Sequence, residues 1–164
     1  MKILVINPGG TSTKIAVFED EEELFKENIT HTGEDLKGFP HVFDQFGYRK
    51  DIILETLKKA GFEIRTFAAV AGRGGLMNPI PGGTYTVNSR MVEDLRGAIH
   101  GEHPSNLGAV LAKEIGDEIG ASSFVVDPVS VDELMQVQSQ TPPEAGCTER
   151  GEITVLALRA VALA

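Results

Sequence analysis

Residues 2–20 constrain the fold most, because a polar loop with two glycines joins two apolar segments there. Residues 3–6 and 15–18 are apolar and largely β-branched, and the sequence NPGGTST lies between them. This pattern predicts a strand, a turn and a second strand. A dinucleotide-binding loop or a Walker loop must instead open a helix, and neither glycine spacing is present. The sequence therefore argues against both nucleotide-binding motifs at this position.

The residues of this turn suit two roles. Asn, Pro, Gly, Ser and Thr are the residues that any turn prefers, so an ordinary hairpin turn accounts for them. Glycines also let a backbone approach a ligand closely, and successive N–H groups can form a concavity that binds anions. The phosphate ligands would then be the following loop residues: Asn7, Gly9, Gly10, Thr11, Ser12 and Thr13. Both interpretations stay open at this point.

Length and composition limit the class of protein. A chain of 164 residues with 41% hydrophobic residues forms one domain, or one lobe of something larger. A formal net charge of -9 argues against a nucleic-acid surface, although a few local cations suffice for a small anion. The single cysteine excludes an intramolecular disulfide. Neither a signal peptide nor a membrane-length apolar segment is recognised, so we expect a cytoplasmic protein with no nucleic-acid or membrane partner.

Helices and strands alternate along the rest of the chain, according to the spacing of apolar residues and the turn residues between them. The predicted elements are a strand over 24–29, a helix over 49–60, a strand over 67–71, a strand over 83–88, a helix over 89–98, a helix over 106–119 and a strand ending at 127. Ser89 is expected to cap the helix over 89–98. The order predicts an α/β protein.

Three side chains capable of site chemistry fall where these elements begin or end. Arg73 follows a buried strand, and its planar fork suits a carboxylate or phosphoryl group, although a solvated loop arginine is the common alternative. His103 precedes a helix start, where it either sits beside an anion or is an ordinary turn histidine. Asp127 ends a strand, where it can hold Mg²⁺, orient a nucleophile or form a turn. No site role is assigned to the other histidines, His31, His41 and His100.

Four segments together resemble a known family: INPGGTSTKIAVFED, GRGGLMNPIPGGTYTVN, GEHPSNLGA and VVDPVSVDEL. In this order they closely resemble the N-terminal lobe of butyrate kinase, within the acetate kinase, sugar kinase and actin superfamily. Acetate kinase is the more distant match. The resemblance covers residues 1–134 and implies a ribonuclease-H-like lobe. Its mixed sheet would combine an antiparallel β-meander with parallel strands, flanked by helices.

The resemblance also implies roles for the residues at the strand ends. The glycine loop, from Asn7 to Lys14, corresponds to the family's first phosphate loop, which faces the phosphate passed from ATP to a carboxylate. Arg73 corresponds to the arginine that clamps the substrate carboxylate and the transferring phosphoryl group. His103 corresponds to the histidine before the helix start, and Asp127 to the aspartate near Mg²⁺. The implied catalytic residues are therefore Arg73, His103 and Asp127, with ATP and Mg²⁺ as cofactors and butyrate as substrate.

The resemblance ends after residue 134. Residues 135–147 are polar with paired prolines, which predicts a linker, and residues 148–164 are rich in Leu, Ala and Val, which predicts a C-terminal apolar helix. No nucleotide lobe is recognised in the chain. We therefore expect an ATP-dependent phosphotransferase with a carboxyl acceptor that is incomplete as written and inactive alone. Either an internal deletion or a frameshifted tail would account for the last segment.

Two further functions stay open at this point. A non-catalytic anion-binding or dimerisation module would use the same loop, and an exposed lobe face would favour a homo-oligomer. A kinase for another short acid, such as acetate, propionate or a branched acid, would carry the same motifs. Motifs do not report how pocket residues fill space, so they do not specify the acid.

Overall fold

The glycine loop joins two strands of a mixed sheet in the computed structural model, which describes residues 1–80 and 83–127. The predicted linker and C-terminal helix lie outside the described residues. The described strands are β1 (Lys2–Pro8), β2 (Ser12–Glu19), β3 (Glu22–Thr30), β4 (Ala69–Arg73), β5 (Thr84–Thr86) and β6 (Ser122–Val126). The described helices are α1 (Gly33–Leu36), α2 (Phe46–Lys59), α3 (Ser89–Arg96) and α4 (Asn106–Ile119), with 3-10 turns at Val42–Gln45 and Ile64–Thr66.

The described strands follow the order β3-β2-β1-β4-β6-β5. Strands β1, β2 and β3 form an antiparallel meander, whereas β1, β4 and β6 run parallel to one another. Strand β5 closes the other side by pairing antiparallel with β6. The predicted fold class, a mixed sheet with an antiparallel meander and parallel strands, is confirmed. The carboxyl ends of three parallel strands consequently meet at one edge of the sheet.

Alternation along the strands divides the core between the two faces of the sheet. Helices α2 and α4 pack on the face that carries Leu4, Ile6 and Ile15, where they contribute Ile53, Leu57 and Leu107 among others. A second buried cluster occupies the opposite face and consists of Ile3, Val5, Ala16, Phe18, Ala69, Ala71, Phe124 and Val126. Each residue of β1 and β2 therefore belongs to one face by its position alone.

Two local predictions needed correction. Ser89 is not the helix cap, because Asn88 has the extended backbone of a cap and its side-chain oxygen accepts from the Met91 N–H at 2.9 Å. Strand β4 begins at Ala69 rather than at 67, because pairing with β1 starts at Ala69 and a 3-10 turn occupies Ile64–Thr66. The helix predicted over 106–119 is α4, with the same bounds. None of the helices within the described residues is long and apolar enough to cross a membrane.

Candidate anion-binding site

A cavity of about 430 Å³ opens where the carboxyl ends of β1 and β4 meet the start of α4. Ligands of open α/β sheets bind at this kind of edge, outside the carboxyl ends of parallel strands. The residues that line the cavity are Asn7, Pro8, Gly9, Gly10, Ser12, Lys14, Arg73, His103 and Ser105. The structure therefore brings Arg73, the last residue of β4, and His103, before α4, to the same cavity as the glycine loop.

Strand alternation explains which side chains reach the cavity. Asn7 continues the series Ile3 and Val5 on the face opposite α2 and α4, and Ser12 and Lys14 precede Ala16 and Phe18 on the same face. Arg73 follows Ala69 and Ala71 in the same way. A period of two residues thus places the polar ends of three strands on one side of the sheet.

Two cationic side chains line the cavity. They are Lys14 and Arg73, His103 adds an imidazole ring, and the lining residues among 1–80 and 83–127 include no Asp or Glu. The whole chain nevertheless carries a formal net charge of -9. A local group of cations in an acidic protein favours a small anion at this place, because close charges outweigh the screened field of distant ones.

The glycine loop forms a tight turn whose carbonyl groups accept hydrogen bonds. The Gly9 N–H donates to the Ser12 carbonyl at 2.7 Å, so this amide closes the turn and does not face a ligand. Gly10 and Thr11 are exposed, and their amide N–H groups have no hydrogen-bond partner among the described residues. The Gly10 and Thr11 amides are therefore available as hydrogen-bond donors, whereas the Gly9 amide is not.

Thr11 and Thr13 do not place their side chains in the cavity wall. Thr13 is fully buried on the α2 side of the sheet, because it is one residue out of phase with Ser12 and Lys14. Its hydroxyl accepts a hydrogen bond from Arg49 at 2.8 Å and lies 2.8 Å from His31 Nε2. Thr11 is exposed, and its carbonyl accepts from the His31 N–H at 2.8 Å. The prediction that the Thr13 hydroxyl binds phosphate conflicts with this orientation.

His103 is held by the residue two positions later. Its Nδ1 accepts from the Ser105 N–H at 3.2 Å and lies 2.6 Å from the Ser105 hydroxyl oxygen. Because Nδ1 is an acceptor here, the proton of the neutral ring is on Nε2. His103 itself is exposed, whereas Ser105 is 2% exposed. The neutral ring therefore offers one N–H donor at the cavity.

Three glycines allow α4 to approach the end of β4 closely. A Cβ on Gly72 would lie 2.1 Å from the Gly108 carbonyl oxygen, and a Cβ on Gly108 would lie 2.2 Å from the Arg73 carbonyl oxygen. A Cβ on Gly75 would lie 2.5 Å from Asn106. Such distances exclude any side chain at these positions without movement of the backbone. The glycines thus bring the start of α4, with His103 and Ser105 before it, to the end of β4.

Asn106 ties two loops beside the cavity. Its side-chain oxygen accepts from the Leu76 N–H at 2.8 Å, and its side-chain nitrogen donates to the Gly101 carbonyl at 2.9 Å. Asn106 is 3% exposed, so both bonds are shielded from water. The first residue of α4 therefore fixes the loop after Arg73 and the loop before His103 relative to each other.

Asp127 directly follows β6, beside the end of β4. Arg73 pairs with Val126, so Asp127 comes one residue after that pair at the same edge of the sheet. Its carboxylate accepts from the Gly83 N–H at 2.9 Å, and it is not among the residues lining the cavity. Among residues 1–80 and 83–127, no group of three His, Cys, Asp or Glu side chains is arranged to hold a metal ion.

Sequence reasoning missed the polar group behind the loop, which is formed by the buried His31 and Arg49 and the half-buried Tyr48. His31 Nδ1 lies 3.1 Å from the Tyr48 hydroxyl, and burial lowers the pKa of His31 and raises that of Tyr48. Arg49 is fully buried. A signal for Arg49 exists in the sequence, because it lies four residues before Ile53 on the apolar side of a predicted helix. No comparable signal marks His31.

The chain is similar in sequence to curated butyrate kinases. It is 54% identical over 136 residues to a probable butyrate kinase of Clostridium botulinum, which is 83% of this chain and 38% of that protein. Butyrate kinase 1 of Clostridium acetobutylicum is 48% identical with the same coverage. A probable butyrate kinase of Listeria monocytogenes is 45% identical over 135 residues, or 82% of this chain and 38% of the relative. No protein-family model matches the chain.

Among solved structures, RuvC of T. thermophilus in complex with Holliday junction substrate has a TM-score of 0.50 at 12% identity, covering 99% of this chain and 94% of RuvC. This likeness concerns the fold alone, which is of the ribonuclease-H-like kind. Acetate kinase of Porphyromonas gingivalis has a TM-score of 0.48 at 14% identity, over 76% of this chain and 36% of its own. By sequence, then, this chain is a homologue of the butyrate kinases over most of its own length and spans about 38% of theirs.

Proposed function

We propose that the described residues form the carboxylate and phosphoryl side of a butyrate kinase, which transfers a phosphoryl group from ATP to butyrate. One observation carries the proposal: the polar and cationic side chains of Asn7, Lys14, Arg73 and His103 line one cavity. The identity of 54% to a probable butyrate kinase supports this assignment of the cavity. The reacting groups of such a transfer, a carboxylate and a phosphoryl group, are both anions.

The cavity suits phosphoryl transfer because that reaction depends on positioning and on charge stabilisation. A carboxylate oxygen of butyrate attacks the γ-phosphorus of ATP in line, and the bond from that phosphorus to the leaving oxygen of ADP breaks. Arg73 suits the role of a clamp, because a guanidinium binds a carboxylate or phosphoryl group with two parallel hydrogen bonds. Lys14 and the Gly10 and Thr11 amides neutralise and orient the phosphoryl oxygens.

His103 acts as a hydrogen-bond donor in this proposal. With Nδ1 accepting from Ser105, the neutral ring donates from Nε2 to an oxygen of the transferring group. A donor that is already oriented needs no reorganisation during the reaction. His103 therefore stabilises developing charge rather than removing a proton, since a butyrate carboxylate has none to lose.

The described residues offer one carboxylate, at this edge of the sheet, to a magnesium ion that would bind together with the nucleotide. Mg²⁺ is usually held by one or two carboxylates together with substrate phosphates and water, so a single carboxylate suffices. We assign this role to Asp127, which follows β6 at the same edge of the sheet. Bound Mg²⁺ would neutralise charge on the phosphates of ATP. The adenosine is assigned to no described residue.

An NMR titration tests the anion site directly. Inorganic phosphate added to the ¹⁵N-labelled chain is expected to shift the amide signals of Gly10 and Thr11 and the ring signals of His103. Arg73→Met should weaken phosphate binding by about tenfold or more, because hydrogen bonds to charged groups contribute about 1.5–3 kcal/mol. Arg90→Met is the matched control, since Arg90 is exposed on α3 and pairs with Asp94. Its affinity should match that of the unaltered chain.

Absence of any shift at Gly10 and Thr11 with millimolar phosphate would contradict the anion site. The acid is tested separately by adding acetate, propionate and butyrate to the phosphate-saturated chain. Butyrate should shift the Arg73 side-chain signals at the lowest concentration. Preference for acetate or propionate would keep the reaction class and replace the substrate.

A further inference from the structure

A fully buried arginine of α2 lies directly behind the glycine loop. Arg49 Nη1 donates to the Ser12 carbonyl at 3.1 Å and to the Thr13 hydroxyl at 2.8 Å, and Nη2 donates to the Gly10 carbonyl at 3.2 Å. Nε and Nη2 also donate to the Gln45 side-chain oxygen at 3.0 and 2.9 Å. One guanidinium thus connects three loop positions to a helix that is 36 to 39 residues later in the chain.

The bonds to carbonyls determine where the loop amides point. In a trans peptide the C=O of one residue and the N–H of the next point in opposite directions. Because the Gly10 carbonyl points toward Arg49, the Thr11 N–H points away from α2. The Ser12 carbonyl accepts from both Arg49 and the Gly9 N–H, which closes the turn in the same orientation. Arg49 therefore selects the loop conformation that leaves the Thr11 amide available to a ligand.

The charge of Arg49 is not balanced by a carboxylate within residues 1–80 and 83–127. Its five hydrogen bonds all end on neutral oxygens of Gly10, Ser12, Thr13 and Gln45. A buried charge that is hydrogen-bonded but has no opposite charge beside it is costly, and it acts on its surroundings through a low local dielectric. Gly10 and Ser12 line the cavity, so an anion there would lie across a single layer of backbone from this charge.

We infer that Arg49 is the positioning residue of the anion loop, holding the Gly10 and Ser12 carbonyls on the α2 side so that the loop amides and a buried positive charge serve a bound phosphoryl group. The anion in this inference is the one in the proposed function. The loop conformation, however, can be measured without any anion. Arg49 does not touch the ligand and acts through the loop backbone.

The test compares Arg49→Gln and Arg49→Lys with a control on the same helix. Leu57→Val is the control, because Leu57 is fully buried on α2 and contacts the core rather than the loop. Without anion, both Arg49 variants should change the carbonyl ¹³C signals of Gly10 and Ser12 and speed hydrogen exchange of the Gly9 amide at least tenfold relative to the Ile15 amide. Leu57→Val should change neither the carbonyl signals nor the exchange rate of the Gly9 amide, even if it lowers the melting temperature as much as the Arg49 variants do.

Phosphate binding is the second measurement. Inorganic phosphate should bind Arg49→Gln at least tenfold more weakly than the unaltered chain, and Leu57→Val within twofold of it. Arg49→Lys keeps the positive charge but lacks the planar guanidinium. Its affinity for phosphate should therefore lie between those of Arg49→Gln and the unaltered chain. Equal affinity and unchanged carbonyl signals in folded Arg49 variants would overturn the inference.

A milder variant keeps the test decisive if the Arg49 variants do not fold. Gln45→Met removes the acceptor of two Arg49 hydrogen bonds and leaves the charge in place. It should speed hydrogen exchange of the Gly9 amide and weaken phosphate binding. The inference would be overturned if neither effect were observed. Should the unaltered chain not bind phosphate at all, the proposed function fails while the exchange and carbonyl signals still decide the role of Arg49.

Discussion

At the scale of single residues, the alternation of side chains along a strand decides which face of the sheet each side chain lies on. Ser12 and Lys14 reach the cavity, whereas Thr13 between them is buried against α2. There its hydroxyl meets Arg49 and His31. The same loop therefore offers its backbone to a ligand on one side and is held by buried side chains on the other.

His31 should make the stability of the chain depend on pH. It is 2% exposed, and burial together with the nearby charge of Arg49 lowers its pKa below the ordinary 6.5. The unfolded chain therefore takes up a proton at a higher pH than the folded chain does. The contribution of His31 to the free energy of unfolding should be constant above about pH 7. It should fall as pH drops from about 6.5 to the folded pKa, by at most about 1.4 kcal/mol per pH unit.

Thermal unfolding followed by circular dichroism from pH 8 to pH 5 measures this effect. His31→Gln should remove the decrease that begins near pH 6.5, although it also lowers stability at pH 8 by loss of the contact with Tyr48. His100→Gln is the control, because it retains His31. An identical pH dependence in His31→Gln and the unaltered chain would contradict the assignment.

At the scale of elements, the contact between β4 and α4 builds the cavity. Gly72 and Gly108 allow backbone contact between the strand and the helix, so the residues before α4 come close to Arg73. Asn106 then fixes the loops on either side. The cavity therefore depends on close packing of two elements rather than on the glycine loop alone.

Gly108→Ala should destabilise the fold despite improving helix propensity. Replacing glycine by alanine inside a helix gains about 1 kcal/mol, whereas the added Cβ would lie 2.2 Å from the Arg73 carbonyl oxygen. Overpacking of this kind costs about 1–3 kcal/mol or more, so destabilisation should prevail. The variant should also bind phosphate more weakly, because α4 must move away from β4.

Gly47→Ala is the matched control for this measurement by chemical denaturation. Gly47 lies in α2, and a Cβ there would meet nothing within 4 Å. It should raise stability by up to about 1 kcal/mol and leave phosphate binding unchanged. A Gly108→Ala chain as stable as the original would show that α4 can shift at no cost.

At the scale of the whole molecule, the proposed reaction needs more than the described cavity. In-line transfer requires a held nucleotide, a metal, a positioned acceptor and exclusion of water by closure. In the proposed function, the cavity would hold only the acceptor and the transferring phosphoryl group. The chain spans about 38% of the length of its curated relatives.

We therefore expect the 164-residue chain to bind phosphate but to show no appreciable turnover with ATP, Mg²⁺ and butyrate. The assay is hydroxylamine trapping of butyryl phosphate at several protein concentrations. A full-length butyrate kinase relative serves as the positive control. Robust activity that does not depend on protein concentration would contradict this expectation.

Much of the fold could be predicted because it follows from local patterns. The strands around NPGGTST, the bounds of α4 and the positions of Arg73, His103 and Asp127 at element ends all follow from apolar spacing and turn residues. The cap at Asn88 was missed because neighbouring Asn and Ser are both good caps, and only the backbone angles distinguish them. Site roles for Arg73 and His103 remain predictions.

The sequence by itself determined that a glycine loop joins two strands and that cationic and polar residues follow the strands, because these features depend on neighbours in the chain. Only the tertiary structure decided that Arg49 lies beneath that loop, with its partner Ser12 37 residues away in sequence. It also decided that Thr13 faces α2 and that the Gly9 amide is already bonded. Contacts between distant elements set these details, because the direction of a buried hydrogen bond depends on which helix packs against the strand.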